Sequence, residues 1–215
     1  MLVEEIMNTS VPTLTPSHTI KDAITLLNEK KIRHLPIINN EREVVGVVTD
    51  RDLKEATPST LQSVLHNDIY DRPLDEIMTK NPITGHPLDF VEETASIFYD
   101  NRIGCLPIVS KGKLVGMITE SDLLYKFIEL TGVHQPGSQI EVRVPNRTGV
   151  LFEVSKIFYE QKLNVLSVLV YPDKMQNDHK ILVLRVKTMN PLKLIEAIKA
   201  EGFEVLWPNH PGMNI

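Results

Sequence analysis

Two eight-residue stretches of this sequence place the same chemistry-bearing side chains at the same spacing. GVVTDRDL runs from Gly46 to Leu53, and GMITESDL runs from Gly116 to Leu123. In each stretch a threonine ends an apolar, strand-like run, and an aspartate follows three residues later, where a helix is expected to begin. A hydroxyl and a carboxylate at a helix N-terminus lie beside backbone N–H groups that favour anions, so the pattern suits a ribose and its phosphate.

The Thr-x-x-Asp pattern also has a purely structural interpretation. Before a helix it is typical of a capping box, in which the two side chains satisfy backbone N–H groups and do nothing else. Gly46 and Gly116 favour a ligand, because a glycine within a strand often marks the close approach of a ligand or of another backbone. Both interpretations stay open at this level. The residue pairs concerned are Thr49 with Asp52 and Thr119 with Asp122.

The two stretches belong to a longer internal repeat. The segment that begins at Val3 matches the segment that begins at Leu74, 71 residues further on, and the offset falls to 70 for the two glycines. The lost residue lies where NNEREVV faces SKGKLV, which are polar segments between apolar runs, and this predicts hairpin turns of different length. The matched Leu-Pro-Ile runs lie at 35–37 and 106–108.

Apolar periodicity predicts the elements of each repeat. In the first repeat, Ile20, Ala23, Ile24 and Leu27 recur at helical spacing, and two runs rich in Val and Ile follow before a second helix. The predicted order is strand, helix, strand, strand, helix. A unit of roughly 60 residues has a marginal core. We therefore expect the two repeats to pair about a pseudo-two-fold axis and bury their apolar sheet faces together.

Both repeats resemble the CBS domain family, and the pair resembles the tandem module that binds adenosine-containing ligands such as AMP, ADP, ATP or S-adenosylmethionine. In that family Gly-h-h-Thr-x-x-Asp, with h hydrophobic, is the nucleotide signature. Its Asp contacts ribose hydroxyls, its Thr lies near ribose and phosphate, and the Leu-Pro and Thr-x-x-Pro runs flank the base. The resemblance covers roughly residues 1–131 and implies a regulatory adenine nucleotide without a catalytic cofactor. The implied nucleotide-binding residues are Thr13, Arg33, Pro36, Val47, Thr49, Arg51, Asp52, Thr84, Pro107, Met117, Thr119 and Asp122.

The two repeats differ in charge. Arg33 precedes the first Leu-Pro run and Arg51 lies inside the first motif, whereas the second repeat has Gly104 and Ser121. If phosphates bind, we expect the first site to hold them better, because charge-assisted contacts are about twice as strong as neutral ones. Arg102 is expected to supply part of this charge to the second repeat. The alternative is that Arg33 and Arg51 are ordinary solvated surface charges.

A third predicted domain follows VHQPGSQ, which carries Pro and Gly without apolar periodicity and is predicted to be a linker. The later order is strand, helix, strand, strand, helix, strand, which is the ferredoxin-like split βαβ arrangement. Pro191 and Gly202 flank the last predicted helix, as the asymmetry of helix termini requires. The run VPNRTGVLFEVSKIF resembles the ACT domain family, a small module that often senses amino acids, in which backbone groups around a glycine receive a ligand carboxylate.

The ACT resemblance implies an amino-acid site that departs from the family pattern. Asn146 stands where the family has an acid, Thr148 stands where it has a proline, and Gly149 is the central residue. We expect this sequence to form the same turn despite these differences. The domain then either binds an amino acid or serves only in structure or dimerisation. The implied residues are Asn146, Arg147, Thr148, Gly149 and Val150.

Composition and motifs limit the other classes of function. A net charge of −5 without a Lys/Arg block disfavours a nucleic-acid partner, and no run approaches the ~18 apolar residues of a membrane span. The N-terminus lacks a signal-peptide pattern and the single cysteine, Cys105, fits a reducing compartment, so a cytoplasmic protein is expected. Because the seven histidines lack ligand spacing and the sequence has no hydrolase, Walker or zinc-protease motif, neither an enzyme nor a metal site is expected.

The sequence therefore predicts a mixed α+β and α/β chain, with two βαββα CBS repeats followed by a ferredoxin-like βαββαβ ACT domain. The predicted boundaries are 1–66 for CBS domain 1, 67–132 for CBS domain 2, 133–138 for a linker and 139–215 for the ACT domain. This domain order resembles an acetoin-utilisation family, which implies a regulatory role in growth on acetoin or butanediol. The leading hypothesis is a non-catalytic sensor that forms a homodimer or higher homo-oligomer and acts on a regulated protein partner. The alternative is a scaffold for oligomerisation or protein docking without a ligand.

Overall fold

The computed structural model describes residues 1–57 and 67–208 of the 215-residue chain. The chain divides into two compact units, Met1–Leu124 and Tyr125–Ile215. Each unit has its own core. No helix within the described residues is long and apolar enough to cross a membrane.

Each repeat is built from two helices and one β-hairpin, and the last of these helices begins in the first unit and ends in the second. The helices are α1 (Ile20–Lys30), α2 (Asp50–Ala56), α3 (Val91–Asn101) and α4 (Glu120–Thr131), and the strands are β1 (His34–Ile38), β2 (Val44–Thr49), β3 (Thr79–Lys80), β4 (Cys105–Ser110) and β5 (Lys113–Thr119). The hairpins β1–β2 and β4–β5 are antiparallel and share a register in which Ile37 faces Gly46 and Ile108 faces Gly116. The predicted helices and hairpin strands of both repeats are confirmed.

The two hairpin turns differ in length, as the offset of the repeat predicts. Between β4 and β5, Lys111 and Gly112 have φ angles of 51° and 78°, which is the conformation of a two-residue type I′ turn. The turn between β1 and β2 is longer, and the Asn39 side chain accepts hydrogen bonds there from the backbone N–H groups of Glu41 and Glu43. The inserted residue therefore lies in a turn.

The first strand predicted for each repeat is much reduced. Before α1 the described chain forms only isolated bridges, among them those from Asn8 to Met117 and from Leu14 to Ile37, and the corresponding strand of the second repeat is the two-residue β3. The cause is proline, which has no N–H group to donate and cannot continue a hydrogen-bonded ladder. These segments, VPTLTP and NPITGHP, each contain two prolines.

Two straps cross between the repeats. The first strap, residues 1–8, packs on the core of the second repeat, where Val3 is buried against Leu106 and Ile118. The second strap, residues 74–81, packs on the core of the first repeat through Leu74 and Met78. Burying two side chains of this size gives roughly 1.5–3 kcal/mol each. Each repeat is therefore completed by a segment that precedes the other repeat.

Gly46 and Gly116 occupy the same position in the two repeats, and packing explains why both are glycine. A Cβ atom at Gly46 would clash with the side chain of Met78, and a Cβ at Gly116 would lie 2.6 Å from Met7 Sδ. Both methionines belong to the straps. The close approach at these glycines is made by a methionine side chain of a strap, and at Gly116 also by the backbone carbonyl of Asn8, which would lie 3.2 Å from an added Cβ.

The second unit is a four-stranded antiparallel sheet with two helices. Its elements are β6 (Ser138–Pro145), α5 (Val150–Glu160), β7 (Val165–Pro172), β8 (His179–Val186), α6 (Leu192–Ala200) and β9 (Glu204–Trp207). The strand order β7-β8-β6-β9 confirms the predicted ferredoxin-like topology. Its core lies between the sheet and the helices and includes Val142, Phe158 and Leu184.

The ends of the second unit agree with the helix signals of the sequence. Pro191 is the N-cap of α6, and Gly202 follows its end with a φ of 84°. β6 begins at Ser138, the last residue of the predicted linker, and Arg185 on β8 donates hydrogen bonds to the carbonyl groups of Val133 and Gln135. These bonds hold the linker segment against the sheet.

Candidate functional site

Within the described residues, three Thr-x-x-Asp segments form the same capping box. In the box of Thr49, Asp52 Oδ2 accepts from the Thr49 N–H at 2.7 Å and from Thr49 Oγ1 at 2.8 Å, while the Asp52 N–H donates to Thr49 Oγ1 at 3.3 Å. The corresponding distances from Asp122 to Thr119 are 2.8, 2.6 and 3.4 Å. Thr19 and Asp22 repeat the arrangement at the start of α1.

A capping role and a ligand role are compatible in this geometry. Both bonds to the Asp52 carboxylate fall on Oδ2, which leaves Oδ1 with acceptor capacity for a ligand hydroxyl. Asp52 and Asp122 are half-buried, whereas Asp22 is exposed. The box therefore fixes the orientation of each carboxylate, and the surroundings decide whether a ligand can use it.

The surroundings of the first motif form a cleft of about 1170 Å³. Its walls come from both repeats: the end of β2 and the start of α2, the segment after β3, and the turn from α3 into β4. The implied nucleotide-binding residues that line it are Arg33, Val47, Thr49, Arg51 and Asp52. The structure thus brings together five residues that the CBS resemblance implies.

The other implied residues do not line this cleft. Pro36 and Pro107 are buried in β1 and β4, where Pro36 faces Val47 and Pro107 faces Met117. Thr13 lies in the segment between the first strap and α1, and Thr84 lies exposed beyond β3. Thr119 and Asp122 form their own capping box at the start of α4, and of that helix only Glu120 reaches the cleft.

Cleft residues that the sequence did not single out come mainly from the second repeat. Asn81, Pro82 and Ile83 reach the cleft because the second strap crosses to β2, where Thr79 pairs with Val47. Arg102, which was expected to serve the second repeat, also lines the cleft of the first motif. No local pattern could have placed these residues in this cleft, since their position depends on which repeat each segment packs against.

The charge of the cleft is mixed. The Asp50 carboxylate accepts a hydrogen bond from Lys54 Nζ at 3.0 Å, and this bond lowers the pKa of Asp50. Burial lowers the pKa of His34, although Asp50 and Glu120 act in the opposite direction. At neutral pH the His34 ring is therefore uncharged, and the positive charge of the cleft comes from arginine.

Cys105, the first residue of β4, is buried. It packs with Val47 and Met117, and burial raises the pKa of its thiol to about 12. A thiol with this pKa is not a nucleophile at neutral pH. Cys105 therefore packs as a small hydrophobic residue.

The glycine turn predicted for the second unit is present. Gly149 has a φ of 86° and is the N-cap of α5, while Val150 begins the helix and buries its side chain in the core. Arg147 donates two hydrogen bonds to Glu153, at 2.6 and 2.7 Å. A ligand carboxylate at this turn would therefore compete with Glu153 for the guanidinium. Asn146 and Thr148 are exposed beside it.

Among residues 1–57 and 67–208, no group of three or more His, Cys, Asp and Glu side chains could hold a metal ion. Comparison with protein families assigns both units. The CBS domain model matches residues 3–59 and 74–129, more than half of the chain, and the ACT domain model matches residues 138–203.

Several solved structures are similar to this chain over about three fifths of its length. A protein assigned to acetoin utilization, AcuB from Vibrio cholerae, is 33% identical with a TM-score of 0.55, and the match covers 63% of this chain and 96% of that chain. The CBS domain pair of protein MJ0100, solved with 5′-methylthioadenosine and S-adenosyl-L-methionine, is 28% identical with a TM-score of 0.51 and covers 59% of this chain and 95% of that chain. CBSX2 from Arabidopsis thaliana, solved with AMP, is 28% identical with a TM-score of 0.52 and covers 59% of this chain and 96% of that chain. The chain belongs to the CBS domain family and carries an ACT domain after its CBS pair.

Proposed function

We propose that this protein is a non-catalytic regulator that senses an adenine nucleotide, AMP, ADP or ATP, in the cleft of its first motif. The observation that carries the proposal is the convergence of Arg33, Val47, Thr49, Arg51 and Asp52 in that cleft. Similar CBS pairs have been solved with AMP and with S-adenosyl-L-methionine, which supports an adenosine-containing ligand.

Each part of such a ligand has a chemically suitable partner in the cleft. Asp52 Oδ1 can accept hydrogen bonds from ribose hydroxyls, and the capping box holds it in place. Val47 and the partly exposed Ile83 offer apolar surface to the adenine. Arg33 and Arg51 offer charge to the phosphate. The other implied residues, Thr13, Pro36, Thr84, Pro107, Met117, Thr119 and Asp122, stay proposals for the flanks of the base and for a second, weaker site.

Binding in this cleft would act on both repeats. Its walls include β2 of the first repeat and the α3–β4 turn of the second, so a ligand that contacts both favours the arrangement in which they lie closest. A regulated protein partner, or the ACT domain, would respond to that shift. By its similarity to AcuB, we place this regulation in acetoin or butanediol utilisation, in the cytoplasm.

A specific observation also supports a homodimer. β7 is an edge strand of the ACT sheet, contains no charged residue, and leaves Val168, Leu169, Val170 and Tyr171 between 40% and 49% exposed. A long, apolar, uncharged edge strand is a template for pairing with another strand. Amino-acid binding at Asn146–Val150 remains a separate proposal, supported by the left-handed Gly149.

The test is a thermal unfolding scan of the protein with AMP, ADP, ATP, S-adenosylmethionine, NAD and a panel of amino acids, followed by calorimetric titration of each compound that raises the midpoint. The chain supplies a matched control, because Asp22 makes the same box as Asp52 outside the cleft. We expect Asp52→Ala and Asp22→Ala each to lose ~1 kcal/mol of stability as caps. Only Asp52→Ala should also lose nucleotide affinity, by about tenfold or more.

The scaffold alternative gives a different result. If no nucleotide at millimolar concentration shifts the midpoint, or if Asp52→Ala and Asp22→Ala bind equally well, the boxes are only caps. The first result would make the sensor proposal wrong and leave a docking or oligomerisation module, whereas the second would remove Asp52 from the proposed nucleotide site.

A further inference from the structure

The arginines of the cleft come from both repeats. Within the described residues they are Arg33 and Arg51, beside the first motif, and Arg102, at the end of α3 in the second repeat. None of the three forms an ion pair with a described residue, although Arg33 lies close enough to Asp50 to influence it. Three side chains of fixed positive charge thus surround one concave space and are free to meet an anion.

The cleft also holds four carboxylates, those of Asp50, Asp52, Asp100 and Glu120, and none of them forms an ion pair with these arginines. Asp50 is bonded to Lys54, and the Asp52 carboxylate is bonded within its capping box. Asp100 and Glu120 also line the cleft, and neither forms an ion pair with a described residue. Because α2 has only seven residues, its macrodipole adds little, so an anionic ligand here depends on the arginines.

We infer that Arg102 is a specificity-determining residue of this site: it reaches across from the second repeat to bind the ligand's phosphate, so that the cleft selects phosphorylated adenine nucleotides over adenosine and S-adenosylmethionine. The inference rests on the proposed nucleotide site. A guanidinium matches a phosphate with paired N–H donors, whereas it repels the sulfonium cation of S-adenosylmethionine.

The pseudo-symmetry of the fold supplies a control for Arg102. Lys31 occupies the equivalent position after α1, and both residues end their helices in the left-handed conformation, with φ angles of 54° and 53°. Lys31 is not among the described residues that line the cleft of the first motif. Lys31→Gln and Arg102→Gln therefore remove one exposed cation from the same kind of helix end, and only the second change alters the cleft.

The experiment is calorimetric titration of the full chain with AMP, adenosine and S-adenosylmethionine at low and high salt. We expect wild type to bind AMP more tightly than adenosine, and Arg102→Gln to weaken AMP by about tenfold while adenosine changes by less than about twofold. Lys31→Gln should match wild type, and Arg102→Lys should recover part of the AMP preference. The salt dependence of AMP binding should fall in Arg102→Gln.

Two results would overturn the inference while leaving the nucleotide site intact. If Arg102→Gln weakens AMP and adenosine equally, its role is structural, and if it changes neither, Arg102 does not contact the phosphate. If wild type binds none of the adenine compounds, the proposed function itself fails and the inference fails with it. Melting curves of each variant establish that all four proteins are folded.

Discussion

The two CBS repeats contain the same motif and the same capping box, yet they present different surroundings to a ligand. The first motif opens on a cleft that holds Arg33 and Arg51, whereas the equivalent positions of the second repeat are Gly104 and Ser121. The boxes differ by only 0.1–0.2 Å in their hydrogen-bond lengths. Thr-x-x-Asp therefore specifies only the start of a helix. Whether a binding site forms there depends on the segments that pack around the motif.

Truncating the methionines of the two straps should give the largest difference in stability between the two repeats. Met78 is 9% exposed and packs in the core of the first repeat, whereas Met7 is half-buried against Gly116 of the second. We expect Met78→Ala to lower the free energy of unfolding by about 2–5 kcal/mol, as for other buried methionines. Met7→Ala should cost roughly 1–2 kcal/mol, because less apolar area is lost. Urea titrations of the two variants measure both values.

The contact between Met78 and Gly46 also predicts that substitutions at these two residues have non-additive effects on stability. A Gly46→Ala change should destabilise the wild type by overpacking and should be better tolerated in Met78→Ala, because the clashing side chain is gone. Strictly additive effects of the two changes would contradict the packing explanation for the glycine.

His34 gives the smallest expected effect, in the dependence of stability on pH. Its pKa is lowered from 6.5 by burial, so below about pH 6.5 the unfolded chain binds a proton that the folded chain does not. Stability from this residue is therefore complete above pH 6.5 and falls as the pH decreases, by less than ~1.4 kcal/mol per pH unit. His34→Gln should flatten the curve of unfolding free energy between pH 7 and about pH 5.5.

The contribution of the other histidines cancels when wild type is compared with His34→Gln, since both proteins contain them. The carboxylates with lowered pKa, such as Asp22 and Asp50, lose their stabilising effect only in more acidic solution. Parallel curves for wild type and His34→Gln across this range would show that His34 is equally solvated in the folded and unfolded chains.

Local signals predicted the elements well. The periodicity of Ile20, Ala23 and Leu27 indicates the face of α1 that is buried, and Pro191 and Gly202 mark both ends of α6. The position of the lost residue predicted the shorter hairpin turn. Each of these features depends on residues a few positions apart, and this is the range over which propensity and periodicity act.

The sequence could not predict which repeat completes which core. Val3 and Leu74 are visibly apolar, but the two repeats are alike, so no local pattern tells whether a strap packs on its own repeat or on the other. The same ambiguity hid the positions of Ile83 and Arg102 in the cleft. It also made Gly46 resemble a ligand contact when its neighbour is Met78.

The central claim is that the first repeat binds the nucleotide, and the most direct test is the stoichiometry of AMP binding by calorimetric titration of wild type, Asp52→Ala and Asp122→Ala. We predict one tight AMP per chain, lost in Asp52→Ala and kept in Asp122→Ala. Two equivalent AMP molecules per chain, or loss of the tight site in Asp122→Ala, would contradict the account.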